Sequence, residues 1–362
     1  MPSGGAVERL DPTDRSLADV WQRIQGETGV PSPFLAWEWF SALVDVPPLV
    51  RGVQVLVYTH DGWPKGLLAV EFQDRGRLRA IAIAGAWLAP DHVDVVARPG
   101  DRVAAARAFA SHLAKSGDWD LLDFDGLCAD GALAGALDSV FRSPRWVRRR
   151  DVPIVAPYVV LPAHGEQMFS GRARKRMRTQ LRQAEELGGG FAEVTGPAEV
   201  VELMEELFAL HHRRHGDASQ LFSTPERREF HRLASARMAA AGQARVFALR
   251  AADELMAVCY VLTMDGSMFF YSSGFHPGPL RSPGYVVRAL ALERAASSGF
   301  DRADLLRGEH EWKQQFSSGS VVDARKRVLR PSVRTLAATG ATARRRIRLR
   351  PLRDADVGAD GT

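Results

Sequence analysis

Two halves of this 362-residue chain repeat one another, segment by segment and in the same order. "VQVLVYTHDGWPKGLLAVEF" (53–72) and "ARVFALRAADELMAVCYVL" (244–262) each read as a β-hairpin, with apolar arms around a polar turn at Asp61-Gly62 or Asp253-Glu254. A further strand follows each hairpin, "LRAIAIAG" (78–85) or "SMFFYSSG" (267–274). A Pro-Gly pair then opens a helix in both halves, at Pro99-Gly100 and Pro283-Gly284. Each helix stops at a glycine before a short strand with aspartates around apolar residues, in "SGDWDLLDFDG" (116–126) and "SGFDRADLLRG" (298–308). One such match can be chance; four in one order point to a tandem duplication.

Helical patterns precede each copy: "PFLAWEWFSALV" (33–44) in the first, and 166–187, 197–215 and 225–241 before the second. In 166–187, Ala173, Met177, Leu181 and Ala184 make one apolar stripe among arginines. The helix at 225–241 is expected to start from Ser223 as N-cap, with Glu226 closing a capping box. The expected fold class is α/β, with mixed α/β domains at 10–162 and 163–328 and a basic extension at 329–362. Two domains also suit a length beyond the ~250 residues at which single cores stop growing.

Charge is unevenly placed. Eleven basic and no acidic residues lie in 325–353, and three aspartates follow, so a chain of net charge +5 has a net charge of −3 over 1–324. The arginine-rich extension can be a solvated tail or can touch RNA or an anionic surface; no aromatic residue interleaves it for base stacking. No run approaches the about 18 apolar residues of a transmembrane helix. "MPSGGAVERLDPTDRS" lacks a secretory pattern, and Cys128 and Cys259 make no disulfide framework. A cytoplasmic protein is expected.

Chemistry concentrates in two places. The first is "RSPGYV" (281–286), between the strand "MFFYSSGF" and a helix. A strand exit with two serines and a glycine suggests a bulge with free N–H groups. Unpaired N–H groups at the start of a helix that begins near Pro283-Gly284, beside Arg281, make a candidate pyrophosphate cradle; a plain tight turn is the alternative. The second is "DLLRGEHEWKQQF" (304–316), with Lys313 one of five lysines among 48 basic residues.

The order hairpin, strand, Arg-x-x-Gly turn, helix, strand resembles the GNAT acyltransferases. That resemblance implies a pyrophosphate of coenzyme A held at Arg281, Ser282, Gly284 and Tyr285, with Val286 departing from the usual Gly or Ala. Residues 30–318 further resemble the CelD/BcsL-type GNAT-like proteins, related to the Fem aminoacyl transferases, which are built from two GNAT-like halves. The quoted motifs are "PFLAWEWF", "RKRMRTQLRQAEELGG", "LFALHHRR", "SPG" and D-x-x-x-G-x-E-x-x-K at Asp304, Gly308, Glu309 or Glu311, and Lys313.

Amide-forming acyl transfer needs a free amine, attack on an ester or thioester carbonyl, and charge stabilisation at the oxyanion. Glu309 or Glu311 is the candidate base, with His310 as a competitor. By the Fem resemblance, Lys313 supplies a cation to the oxyanion or to a phosphate. The plainer alternative is a surface helix with Glu309 and Lys313 as an i,i+4 ion pair. Trp312 stands where relatives often carry a tyrosine that protonates the departing thiolate, and tryptophan cannot do so. Tyr285 or Tyr271 then becomes the candidate acid, and Trp312 a candidate wall of the acceptor pocket. The resemblance puts His211 and Arg214 at the acceptor site. His211 and His215 share a helical face, but no carboxylate completes a metal set, so no metal is expected. The first half lacks the Glu-Lys motif and reads as a scaffold.

The leading expectation is an N-acyltransferase using acetyl-CoA or another acyl-CoA and a small-molecule amine acceptor, a metabolite or sugar. The alternatives are a Fem-like enzyme drawing on aminoacyl-tRNA, which the basic 172–182 segment favours, and a non-catalytic factor in polysaccharide production. Oligomeric state is not legible.

Overall fold

The computed structural model describes residues 5–28, 32–163, 166–216, 221–276, 278–332 and 334–335. Of the basic extension expected over 329–362, residues 336–362 lie outside the described residues. The chain forms two compact units, one running to Ile154 and resuming at Val322, the other Val155–Val321.

The first unit contains β1 (Ala6–Leu10), α1 (Ser16–Thr28), α2 (Trp37–Val44), α3 (Pro47–Val50), β2 (Val53–His60), β3 (Trp63–Arg75) and β4 (Leu78–Ile83). It continues through β5 (Val96–Ala97), α4 (Pro99–Lys115), β6 (Leu121–Cys128), α5 (Ala132–Val140) and β7 (Val147–Arg148). The chain crosses to the second unit within β8 (Val152–Val160). There follow α6 (Gly171–Glu186), β9 (Gly190–Val194), α7 (Pro197–His215), α8 (Pro225–Ala240), β10 (Ala244–Ala251), β11 (Glu254–Met264) and β12 (Ser267–Phe275). The last elements are α9 (Pro283–Ser297), β13 (Arg302–Asp304), α10 (Glu311–Phe316) and β14 (Gly319–Leu329), within which the chain returns.

In the first unit the strands run β1-β2-β3-β4-β6-β14, with β5 on β3 and β7 on β14. Residues 323–328, read above with the second half, and Leu329, read with the extension, therefore pair with β6 of the first. Strands β4 and β6 are parallel only at Ala80↔Leu121 and Ile81↔Leu122. The gap beyond is filled by the unit's own chain: Val93 N–H donates to Gly126 O at 2.8 Å, and Cys128 N–H to Val93 O at 3.0 Å. On either side of Val93, Asp94 accepts from Ala132 and Leu133 N–H at the start of α5, and the buried Asp323 carboxylate accepts from His92 N–H at 2.7 Å.

In the second unit the order is β9-β10-β11-β12-β13-β8. Alternation divides its sheet into two faces. Phe247, Leu249 and Ala251 of β10 share a core with Met177 and Ala184 of α6, Val286, Val287, Ala291 and Leu292 of α9, and Trp312 and Phe316 of α10. Helices α7 and α8 pack on the other face, where His231 of α8 meets Tyr271 of β12. The apolar stripe expected on α6 is seen, with Met177 and Ala184 buried and Ala173 and Leu181 half-buried.

The duplicated order is thus a duplicated architecture: antiparallel hairpin, third strand, helix, then a parallel fourth strand. Two local expectations move by one residue. The second hairpin turns at Ala252-Asp253, both with positive φ (52° and 59°), as a type I′ turn requires, so Glu254 already pairs with Ala251. Helix α8 is capped by Thr224, whose hydroxyl accepts from Arg227 N–H at 3.3 Å, which leaves Ser223 outside.

Candidate active site

The second unit leaves open the gap that the first fills. Strands β12 and β13 pair in parallel at Ser267↔Arg302, Met268↔Ala303 and Phe269↔Asp304, and no further. One residue later the β11–β12 ladder shifts, Tyr260 facing Ser272 and Val261 facing Phe270, so Tyr271 is the extra residue of a β-bulge. The splayed strand exit expected from "YSSG" is present here. Beyond Phe269 the chain after β13 turns away to β8, with Leu305 N–H donating to Pro157 O and Gly308 N–H to Val155 O.

Lys313 holds that departing loop. It is 1% exposed, and its ammonium donates to Leu306 O at 3.1 Å and to Arg307 O at 2.5 Å. Leu306 sits at φ 58°, a left-handed conformation costly for a residue with a Cβ, and its N–H is tied back to Asp304 Oδ1 at 2.9 Å. The ammonium and the Asp304 carboxylate therefore fix a strained turn at the mouth of the gap. The surface setting of the plainer alternative is not seen, since the amine is buried against backbone carbonyls. Glu309 and Glu311 are both exposed on the solvent side of this loop, and half-buried His310 caps α10.

Above the bulge lies a narrow cleft, open to solvent, with room for about one water molecule. Cys259, Phe270, Tyr271, Ser272, Ser273, Arg288, Trp312 and Lys313 line it. Arg288, in the second turn of α9, is 2% exposed. Its guanidinium donates to Ser273 Oγ at 2.7 Å and lies over the Trp312 ring at 4.1 Å. Burial pulls its pKa down to about 10, which leaves it charged at neutral pH. Trp312 is thus a wall between two cations, with the Lys313 amine 5.6 Å from its ring centre.

Arg288 and Ser273 escaped the sequence reading. In a chain this rich in arginine, one more on a helix reads as surface. The signal was its apolar setting in "GYVVRALAL", where Val286, Val287, Ala289, Ala291 and Leu292 are all buried.

The turn at 281–285 stands beside this cleft. Ser282 is left-handed at φ 53°, Pro283 starts α9, and among the described residues nothing accepts the Gly284 or Tyr285 N–H. Arg281 exposes its side chain, while its N–H donates to Gln180 Oε1 of α6. Tyr285 stacks on Phe316 at 5.1 Å with Arg176 of α6 over its ring at 4.7 Å. These donors and cations suit a phosphate-bearing ligand. Gly284 has a second physical reason to be glycine, since a Cβ there would lie 2.8 Å from Phe275 Cδ1. Gly284→Ala is therefore expected to cost about 1–3 kcal/mol, as overpacking does, measured by urea unfolding.

His211 is not brought to this cleft. It is buried on the face under α7 and α8, edge-on to Phe222 at 5.0 Å. Arg214 is nearer, over the Phe275 ring at 4.2 Å and close enough to depress the pKa of Arg288. The His215 side chain lies outside the described residues, among which no group of three His, Cys, Asp or Glu side chains could hold a metal. Cys259 is deeply buried, and burial pushes its thiol up to about 12.

A hairpin, a third strand and a fourth strand that pairs with it in parallel over only two or three residues, twice in one chain, define a tandem GNAT fold. Residues 171–314, about two-fifths of the chain, match the family model described as an acetyltransferase (GNAT) domain. Solved structures agree on the fold. The C-terminal domain of a protein assigned as a lysylphosphatidylglycerol synthetase from Agrobacterium fabrum is 13% identical, with TM-score 0.55, over 91% of this chain and 96% of that one. FemX is 11% identical, with TM-score 0.50 over 88% and 96%. L-PGS from Bacillus licheniformis is 14% identical, with TM-score 0.51 over 93% and 97%. No curated protein matches the chain.

Proposed function

We propose that the second unit is an N-acyltransferase that moves an acyl group, acetyl by default, from acyl-CoA to the amine of a small metabolite or sugar. The observation that carries this reading is the parting of β12 and β13 after Phe269 and Asp304, beside unpaired N–H groups at the start of α9. Arg281, Ser282, Gly284 and Tyr285 are the residues that would hold the donor's pyrophosphate, and the acyl carbonyl would enter the gap. The amine attacks that carbonyl; the C–N bond forms, the C–S bond breaks, and one proton leaves the nitrogen while one reaches the thiolate. Lys313 and Arg288 are the cations available to the oxyanion. Glu309 and Glu311, both exposed at the loop, receive the amine proton directly or through water. Tyr285 is the more accessible of the two tyrosines that could protonate the thiolate.

A donor bearing more phosphates is the second reading, an aminoacyl-tRNA, and α6 favours it. Arg172, Lys175, Arg176 and Arg178 are exposed there, and no ion pair among the described residues includes any of them. Binding of such a donor would fall steeply with salt, whereas coenzyme A binding would not.

Thiol release from acetyl-CoA in the presence of a panel of amines tests the first reading. Arg281→Ala is expected to raise KM for acetyl-CoA about tenfold with kcat little changed, the size of one lost charge-assisted phosphate contact. No thiol release with any amine from a folded protein counts against it.

A further inference from the structure

Helix α6 is built into the turn before α9 as well as into the core. Gln180 accepts the N–H of Arg281, Gln183 donates to Pro279 O at 3.0 Å, and Arg176 lies over the Tyr285 ring at 4.7 Å. Arg176, Gln180 and Gln183 recur every three or four positions, so one face of α6 runs along 279–285. Other cations of the helix have acidic neighbours: Arg174 and Arg178 act on Glu293 of α9, and Arg182 pairs with Glu186. Arg176 and Arg281 are both exposed, and no ion pair among the described residues includes either side chain. A ring contact holds the Arg176 guanidinium in place and leaves its N–H groups for an anion.

We infer that Arg176 binds a third phosphate of the donor, the one that coenzyme A carries on its ribose. The inference rests on the acyl-CoA reading above and adds to it a residue that selects among donors. Arg281 and the Gly284 and Tyr285 N–H groups are donors enough for a pyrophosphate. A second unpaired cation, on a separate helix and held by Tyr285, is left for a further phosphate. A phosphate monoester carries about −1.5 to −2 charge at neutral pH, so it gains more from that cation than either singly charged phosphate of the pyrophosphate does. The planar guanidinium offers such a group a two-pronged hydrogen bond. A donor without the ribose phosphate leaves Arg176 facing solvent.

The test is calorimetric titration of the full chain with coenzyme A and with dephospho-coenzyme A, which lacks only the ribose phosphate, at one ionic strength. The wild-type protein is expected to bind coenzyme A about tenfold more tightly, the lower end for a hydrogen bond to a charged group. Arg176→Ala should remove that preference by weakening coenzyme A alone. Arg281→Ala should weaken both ligands to the same extent. Arg182→Ala, which removes an ion-paired arginine of the same helix, should leave both affinities unchanged. Arg176 is exposed, so its replacement leaves the fold intact. Arg176→Lys, which keeps the charge without the two-pronged geometry, should recover part of the preference. Equal affinities in the wild type, a preference that survives in Arg176→Ala, or an equal loss of preference in Arg182→Ala overturns the inference and leaves the acyl-CoA reading standing. Binding of neither ligand by the folded protein overturns both.

Discussion

Lys313→Ala should lower the unfolding free energy by about 3 kcal/mol or more, an unusually large effect for a lysine. Most lysines lie at the surface, where their removal changes stability by less than about 0.5 kcal/mol. Lys313 is 1% exposed and gives two hydrogen bonds to the carbonyls of Leu306 and Arg307. Deleting the amine leaves two buried acceptors without that donor, each worth about 1–3 kcal/mol, and deleting the stem adds a cavity beside Trp312. Lys313→Met separates the terms, since it keeps the stem and loses only the hydrogen bonds. Urea unfolding of both variants is the measurement. A loss below about 0.5 kcal/mol in either would mean that the ammonium does not hold the turn at Leu306.

Acid should weaken the second unit well before its carboxylates are protonated. Burial in the α7–α8 face, with Arg227 and His211 nearby, lowers the His231 pKa from an ordinary value near 6.5 to about 3. A histidine whose folded pKa lies below its unfolded one leaves the unfolded chain binding more protons between the two values. Stability is therefore full above about pH 6.5 and declines as pH falls toward 3. At 1.36 kcal/mol per unit, going from pH 6.5 to 5 costs about 2 kcal/mol. The ring packs against Phe222, Phe230 and Tyr271, so leucine is a tolerable replacement. His231→Leu should flatten the stability profile between pH 5 and 7 measured by urea unfolding. A profile equally steep in the variant would assign the acid sensitivity to other groups.

Much of this architecture was legible because it is written in local patterns. The hairpins, the Pro-Gly helix starts and the apolar stripe of α6 each depend on residues a few positions apart. The N-cap and hairpin turn slipped by one residue because Ser223 and Thr224, or Asp253 and Ala252, satisfy the same short-range rules nearly equally. The return of β14 to the first unit was not legible: its partner strand lies about two hundred residues away, as in Asp323↔Cys128, and no local pattern records that pairing. Lys313 was found for its position in a motif, but its burial depends on the left-handed turn at Leu306, which a leucine does not announce. Arg288 was hidden by the abundance of arginine. His211, read as an acceptor residue, lies edge-on to Phe222 and does not line the cleft with Arg288 and Lys313, a placement that its motif does not announce.

The central claim is that the start of α9 binds the phosphates of an acyl donor beside the parted strands. Calorimetric titration of the protein with acetyl-CoA at two salt concentrations, in parallel with Arg281→Ala, tests it most directly. The account predicts micromolar affinity, little affected by salt and weakened about tenfold or more in the variant. Absence of any binding heat from the folded wild-type protein at both salt concentrations would contradict it.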